Sequence, residues 1–267
     1  MSGRSIPGLI DTIIHQIRAR DPEGAALIGI GGAQGSGKSY QCRVLEAANR
    51  GRYAHFSLDD VYLTHAERAQ MAADFHPLCI TRGPPGTHDL DLADATIGAL
   101  ETAEPRARTP LPRFDKLKDD RAPIGTWPLF VGPPEAILVD GWLMGALEMD
   151  EAQFEPPLNA LEAEEDADGK WRGFSLALLA TDYARFFDAF DALIYLKAPS
   201  WSIVRTWRGQ QEEEALGRTL NAEENAALDR FVAHYERVTR AMLAGHHRAD
   251  WIVHLDQKRN VVRVEER

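Results

Sequence analysis

Cys42 and Cys79 are the only two cysteines in 267 residues. With no CxxC pair and no paired-histidine spacing, neither a disulfide framework nor a thiolate zinc site can be assembled from them, and a reducing cytoplasm is the expected compartment. Long apolar runs are missing as well. The best candidates, Ala25 to Ala33 and Leu176 to Ala180, fall short of the roughly 18 residues that a membrane helix needs, so no bilayer span is expected. Basic residues are outnumbered, 30 Lys plus Arg against 41 Asp plus Glu, leaving a net charge of −11. That sign disfavours coating a nucleic-acid backbone or an anionic membrane, and neither is expected as a partner. The N-terminal residues lack the apolar run and small-residue cleavage site of a secretory signal. No [NT]KxD sequence, the guanine-reading element of GTPases, occurs anywhere.

What is present is an ordinary globular composition, 44% hydrophobic and 27% charged, in a length that suits one large domain over residues 1–267. Ile6, Leu9, Ile10, Ile13, Ile14 and Ile17 fall on one helical face and predict a docking helix that stops near Arg20, before Asp21-Pro22. The run from Ala25 to Ile30 is apolar without alternation, as in a parallel strand buried on both faces, and leads through a glycine-rich turn into a helix over Lys38 to Ala48. Further strands are predicted at Tyr53 to Leu58, Ala136 to Val139, Ala192 to Leu196, Trp251 to Leu255 and Val261 to Val264. Helices are predicted at Leu90 to Thr102, Trp201 to Glu214 and Glu223 to Leu243. This alternation implies an α/β fold with a mostly parallel sheet flanked by helices. Two regions break the rhythm. Residues 81–134 hold most of the prolines together with Gly83, Gly86, Gly125 and Gly132, and read as irregular and functional. Residues 150–169 carry acids and no base, and read as a solvated surface insertion with no chemistry assigned.

The strongest motif is Gly32-Ala33-Gln34-Gly35-Ser36-Gly37-Lys38-Ser39, which satisfies GxxxxGK[ST] between a strand and a helix. Its glycines let backbone N–H groups turn onto phosphate oxygens, Lys38 brings a compact charge to the β and γ phosphates, and Ser39 is the expected magnesium ligand. A nucleoside triphosphate, ATP, is the implied cosubstrate. Tyr40 is grouped with this nucleotide site by adjacency, although for both Tyr40 and Cys42 ordinary helix packing is the simpler role. The second motif, Ser57-Leu58-Asp59-Asp60-Val61-Tyr62, ends the second strand, where a right-handed crossover puts Asp59 or Asp60 beside the phosphate loop as a base. Helix capping is the alternative for Asp60. Ala136 to Asp140 is an apolar strand ending in an acid, the form of a Walker B element, which makes Asp140 a metal ligand. Gly141 follows it where ATP-driven motors commonly carry a water-activating Glu, so transfer to a small molecule is favoured over hydrolysis.

The pieces GAQGSGKS, SLDDVYLT, GPPGTHDL, LPRFDK and VDGWLMG, with WRGQQE further on, occur in the order found in D-glycerate 3-kinases. The chain resembles that family from about Leu27 to Leu243, within the P-loop kinases that include phosphoribulokinase, uridine kinase and pantothenate kinase. The resemblance implies a P-loop NTPase fold with a helical lid at 201–218, and MgATP-dependent transfer to D-glycerate giving 3-phosphoglycerate. It makes Asp59 the proton acceptor from the substrate hydroxyl and Asp140 the magnesium-binding acid. Gly83 to Leu90 becomes the acceptor loop, with His88 and Asp89 as contacts and an N-cap role before Leu90 as the alternative. Asp60, Tyr62 and Asp115 join the acceptor side. Glycerate is a carboxylate, so a cationic clamp is required, for which Arg113, Lys116 and Arg121 are available. Arg205 and Arg208, three apart on the lid helix, are expected to reach the transferred phosphoryl group. Trp207, Phe231, Tyr235 and Met242 read as packing residues. The rival readings are a related kinase acting on a nucleoside, pantothenate or another alcohol, and a regulatory module that binds ATP without a metabolite acceptor.

Overall fold

A computed structural model describes residues 5–150 and 155–267. Helix α1 (Ile6–Arg20) opens at Ser5, whose hydroxyl accepts the Gly8 N–H, and buries Ile6, Leu9, Ile10, Ile13 and Ile14, the stripe visible in the sequence. Strand β1 (Ala26–Gly32) is buried throughout and runs two residues beyond the apolar stretch, into the glycines of the phosphate loop. That loop leads to α2 (Lys38–Ala48), after which β2 (Tyr53–Ser57) ends in a short 3-10 turn over Leu58–Val61. Helix α3 (His65–Asp74) has no counterpart in the hydrophobic pattern, because most of its residues face solvent; a Thr64–Glu67 capping box starts it.

Helix α4 (Leu90–Glu101) follows, capped by Asp89. The proline-rich region then folds into two small antiparallel ribbons: β3 (Arg108–Pro110) pairs with β6 (Leu129–Val131), and between them β4 (Phe114–Asp115) pairs with β5 (Asp120–Arg121). The core resumes with β7 (Ala136–Gly141), α5 (Ala160–Glu165), α6 (Lys170–Ala180), α7 (Asp182–Asp188) and β8 (Ala192–Lys197). Helices α8 (Trp201–Leu216) and α9 (Ala222–Leu243) and the hairpin of β9 (Trp251–Leu255) with β10 (Val261–Glu266) complete it.

The main sheet has the order β10-β9-β8-β1-β7-β2, parallel except for β10, which is antiparallel to β9. Alternation along the buried strands splits the core into two layers. Leu27, Ile137, Val139, Leu193 and Tyr195 face a cluster with residues of α4, α7 and α9. Ala26, Ile28, Ile30, Leu138, Ala192 and Ile194 face α1, α2 and α8 on the other side. Chain order reverses at β1, whose neighbours are β7 and β8, and the phosphate loop leaves β1 at this switch point, where ligands of open α/β sheets bind.

The reading of 150–169 as a solvated insertion holds for most of its described residues, which are exposed, but not for all of them. Residues 151–154 lie outside the described residues, and in the stretch that follows Leu161, Glu162 and Asp166 are buried. Glu162 pairs with Arg237 of α9, and Asp166 accepts the Trp171 and Arg172 N–H groups and pairs with the Arg172 guanidinium at 2.9 Å. Acids can enter the interior here because each finds a cation or an N-terminal helix donor.

Helix α8 is anchored near its middle. Trp207 is fully buried and donates its indole N–H to the Gln257 carbonyl at 2.9 Å. A Cβ on Gly35 would lie 2.4 Å from the Trp207 Cβ, so the phosphate loop rests directly on this helix. Trp207→Ala is expected to lower the unfolding free energy by about 3–5 kcal/mol, read as a lower urea midpoint.

Candidate active site

In the phosphate loop Gly35 and Gly37 have φ of +75° and +91°, in the left-handed region that glycine tolerates without cost. Gly37 also starts α2 with no side-chain cap, which leaves the first turn of the helix open to an anion. Within the loop the Ser36 N–H is bonded to the Ala33 carbonyl at 3.1 Å, and Arg259 Nε donates to the Gly35 carbonyl at 2.6 Å. Two of its polar groups, Ser36 Oγ and Gln34 Oε1, are buried without a partner.

Beside the loop opens a cavity of about 430 Å³. It is lined by Gln34, Gly35, Lys38 and Ser39 of the phosphate loop and the start of α2, by Asp59, Tyr62 and Trp142, and by Arg82, Lys116 and Leu117 of the proline-rich region. Arg208, Gln211 and Glu212 of α8 and Phe231 and Tyr235 of α9 close the remainder. Lys38 has no ion-pair partner among the described residues. Ser39 Oγ donates to Asp140 Oδ2 at 2.7 Å. An orphaned hydroxyl, an unpaired ammonium and a hydroxyl–carboxylate pair are the donors that a polyphosphate and a hard divalent cation require, so the residues present fit both.

Asp59 sits at the centre. Its Oδ1 accepts the Tyr62 hydroxyl at 2.8 Å and its Oδ2 the Lys116 ammonium at 2.5 Å. Burial works to raise its carboxyl, but the charges of Lys116 and Lys38 and these two hydrogen bonds outweigh that and hold it well below the usual carboxylate range. Asp140 is fully buried at the end of β7, and its Oδ1 lies 2.8 Å from His55 Nε2. Burial opposes charge on His55, yet its hydrogen bond to Asp140 and the neighbouring Cys42 and Glu46 side chains raise its pKa well above the ordinary imidazole value.

Several residues singled out in the sequence lie elsewhere. Asp60 completes the capping box with Ser57, accepting its N–H at 3.1 Å, and pairs with Arg113 at 3.1 Å, so neither lines the cavity. Asp115 accepts the Leu117 and Lys118 N–H groups and shapes the β4–β5 turn. Asp89 both caps α4 and pairs with Arg121 at 2.9 Å, which occupies that candidate clamp. His88 donates or accepts at the Tyr183 hydroxyl, 2.6 Å away, and burial lowers its pKa to about 4. Asp89 and His88 border a second cavity of about 440 Å³, not the first, although the His88 ring stacks 4.8 Å from that of Tyr62. Arg205 turns to α9, pairing with Asp229 at 2.7 Å; of the two lid arginines, Arg208 is the one at the cavity, where it pairs with Glu212. Tyr40 is 60% exposed on α2 and neither packs inside nor borders the cavity, whereas Cys42 is buried.

Arg82, Trp142, Phe231 and Tyr235 are cavity residues that the sequence alone leaves unassigned or reads as packing. Arg82 directly precedes the GPPGTHDL piece and Trp142 lies two residues after Asp140, so adjacency to a motif is the available signal. Arg82 pairs with Asp119, which is held in turn by the fully buried Arg68 at 3.0 Å.

No protein-family model matches the chain. It is 29% identical over 249 residues to the uncharacterized kinase mug58 of Schizosaccharomyces pombe, covering 86% of each chain. It is 28% identical over 216 residues to the chloroplastic D-glycerate 3-kinase of Arabidopsis thaliana, covering 74% of this chain and 44% of that one. The solved structure of a D-glycerate 3-kinase from Cryptococcus neoformans superposes with a TM-score of 0.76 at 22% identity, covering 99% of this chain and all of the other. No described helix is long and apolar enough to cross a membrane.

The depressed Asp59 carboxyl has a consequence for stability. Its folded value lies below its unfolded one, so its contribution is fully present above about pH 4 and fades as pH falls through the folded value. The stability difference between wild type and Asp59→Asn is therefore expected to be larger at neutral pH than at pH 3, measured by urea unfolding at both.

Proposed function

We propose that this chain, a P-loop kinase related to the D-glycerate 3-kinases, transfers the γ-phosphoryl group of ATP to a hydroxyl of a small carboxylate, with D-glycerate as acceptor and 3-phosphoglycerate as product. The observation that carries the reading is the convergence of Lys38, Asp59, Arg82, Lys116 and Arg208 on one cavity. A nucleotide-sensing module needs the first of these and has no use for a half-buried carboxylate paired with Lys116, or for the further cations beside it.

Lys38 neutralises the β and γ oxygens, and the phosphate loop holds them by its N–H groups. Ser39 and Asp140 would hold magnesium, which when bound would supply positive charge to offset that of the phosphates. On the opposite side Arg82 and Lys116 bind the acceptor carboxylate. Arg82 is the fixed member, tied to Asp119, while Lys116 is more than half exposed and spans from a turn to Asp59. A carboxylate that draws Lys116 away from Asp59 frees Oδ2 for the acceptor hydroxyl and removes the larger of the two charges that depress the base. Asp59 then orients the hydroxyl and takes its proton as the oxygen attacks, with Tyr62 holding Oδ1 in place. Arg208, which lines the same cavity, is the lid arginine assigned to the charge that develops on the transferred group. Helix α8, read as a lid, would move only beyond Trp207, which fixes its N-terminal half. The two free, buried thiols accord with a reducing compartment such as the cytoplasm.

The test is ADP release with MgATP and D-glycerate, L-glycerate, uridine, pantothenate or no acceptor. Stimulation by D-glycerate is expected; stimulation by uridine or pantothenate alone would replace the acceptor, and no stimulation by any would sink the kinase reading. Asp59→Asn is expected to lower kcat by about 100-fold or more with ATP binding retained. Arg82→Ala and Lys116→Met are expected to raise the acceptor KM, leave the ATP KM near wild type, and narrow the preference for glycerate over glycerol; an effect confined to ATP would remove both from the acceptor side.

A further inference from the structure

His55 takes no part in the steps above, yet it is buried against the carboxylate on which the cation site depends. Strands β2 and β7 pair in parallel with Ser57 opposite Asp140 and His55 opposite Leu138, so His55 and Ser57 share a face of β2 and converge on Asp140. The Asp140 carboxylate is completely excluded from solvent. Its Oδ2 receives the Ser39 hydroxyl at 2.7 Å, while the single Ser57 hydroxyl hydrogen is shared between the Asp140 carbonyl oxygen at 3.0 Å and Oδ2 at 3.3 Å. Its Oδ1 receives the His55 Nε2–H at 2.8 Å. Hydroxyls rotate and the Asp terminal torsion is soft, so the serines alone do not fix which oxygen faces the phosphate loop. The imidazole is rigid, and its far side is enclosed by Cys42 and by Glu46, whose Oε2 lies 3.8 Å from Nδ1.

We propose that His55 is a positioning residue for the divalent-cation site: by holding Oδ1 it keeps Oδ2 of Asp140 turned to Ser39, ready to bind magnesium directly or through water. The inference rests on the reading that Ser39 and Asp140 hold the cation. Without the imidazole, Oδ1 would be a buried carboxylate oxygen with no donor, and the group would rotate to relieve it. The oxygen presented to the cation then changes, while the phosphate loop and Lys38 remain as they were.

The measurement is calorimetric titration of ADP into the full chain, once in excess magnesium and once in EDTA; the ratio of the two dissociation constants is the metal-dependent gain. Wild type is expected to bind more tightly with magnesium. His55→Ala is expected to lose about 10- to 100-fold of that gain, with metal-free affinity near wild type. His55→Gln, whose amide N–H can occupy the place of Nε2, is expected to recover most of it. His55→Asn, too short to reach Oδ1, is expected to behave as alanine does and stands in for it should His55→Ala fail to fold. The proposal is overturned if the gain survives in His55→Ala or His55→Asn, or if metal-free and metal-loaded affinities fall together, which is what a purely structural role produces. Absence of any gain in wild type would instead overturn the cation reading, and this inference with it.

Discussion

The parallel register of β1, β7 and β2 is the constraint from which the site follows. Ile30, Asp140 and Ser57 stand side by side at the C-terminal ends of these strands, so the chain's next residues in each case, the phosphate loop, the Gly141 turn and the Asp59 turn, emerge next to one another. The Ser39–Asp140 hydrogen bond then ties the first residues of α2 to the end of β7 across 101 positions of sequence. A slip of one residue in β7 would point Asp140 to the other face of the sheet and separate it from both Ser39 and His55. Both faces of the sheet are filled by side chains of opposite parity, which is why that register is strongly specified.

Electrostatics inside the cavity answers a problem set by the whole molecule. A chain of net charge −11 repels ATP and organic acids at long range, and the cavity reverses that sign locally with Lys38, Arg82, Lys116 and Arg208. Most of these cations are balanced where they stand: Lys116 by Asp59, Arg82 by Asp119, Arg208 by Glu212. Lys38 alone among them is left for the phosphates. The balanced cations remain available to an incoming anion because each partner carboxylate has a second donor or solvent to turn to, such as Tyr62 for Asp59 and Arg68 for Asp119.

Periodicity makes the frame legible, since buried parallel strands leave unbroken apolar runs and a glycine-rich turn between a buried strand and a helix suits little besides a phosphate. Asp59, Lys38, Ser39 and Asp140 can be read for the same reason, each standing at the end of such a strand or inside the motif. The clamp cannot. Arg113, Lys116 and Arg121 are equivalent in the sequence, and what separates them is which carboxylate each one meets: Asp60 and Asp89 take two of them out of the cavity. Arg82 is hidden because a residue between irregular turns has no periodicity to reveal its direction. The buried acids Glu162 and Asp166 are misjudged on composition, because a charge count does not register Arg237 and Arg172, which approach from other segments. His55 looks like one polar residue in an apolar strand, and its meaning lies in Asp140, 85 residues away.

Arg82 and Lys116 differ in a way that bears on how the site discriminates. Arg68 is fully buried and donates to the Leu63 and Asp119 carbonyls as well as pairing with the Asp119 carboxylate, so Arg82, bound to that same carboxylate, is held on a rigid support. Asp119 itself takes a left-handed φ of +53° to end the turn that carries Lys116, a conformation Asp tolerates better than most residues. One cation is therefore fixed and the other reaches out on a flexible stem from the same turn. On the proposed reading, a rigid guanidinium would set where a carboxylate docks, and an ammonium that leaves Asp59 only for a competing anion would make release of that carboxylate depend on the docking. A neutral alcohol of the same volume would offer Lys116 nothing in exchange for Asp59, so recognition of charge and activation of the hydroxyl would be one event.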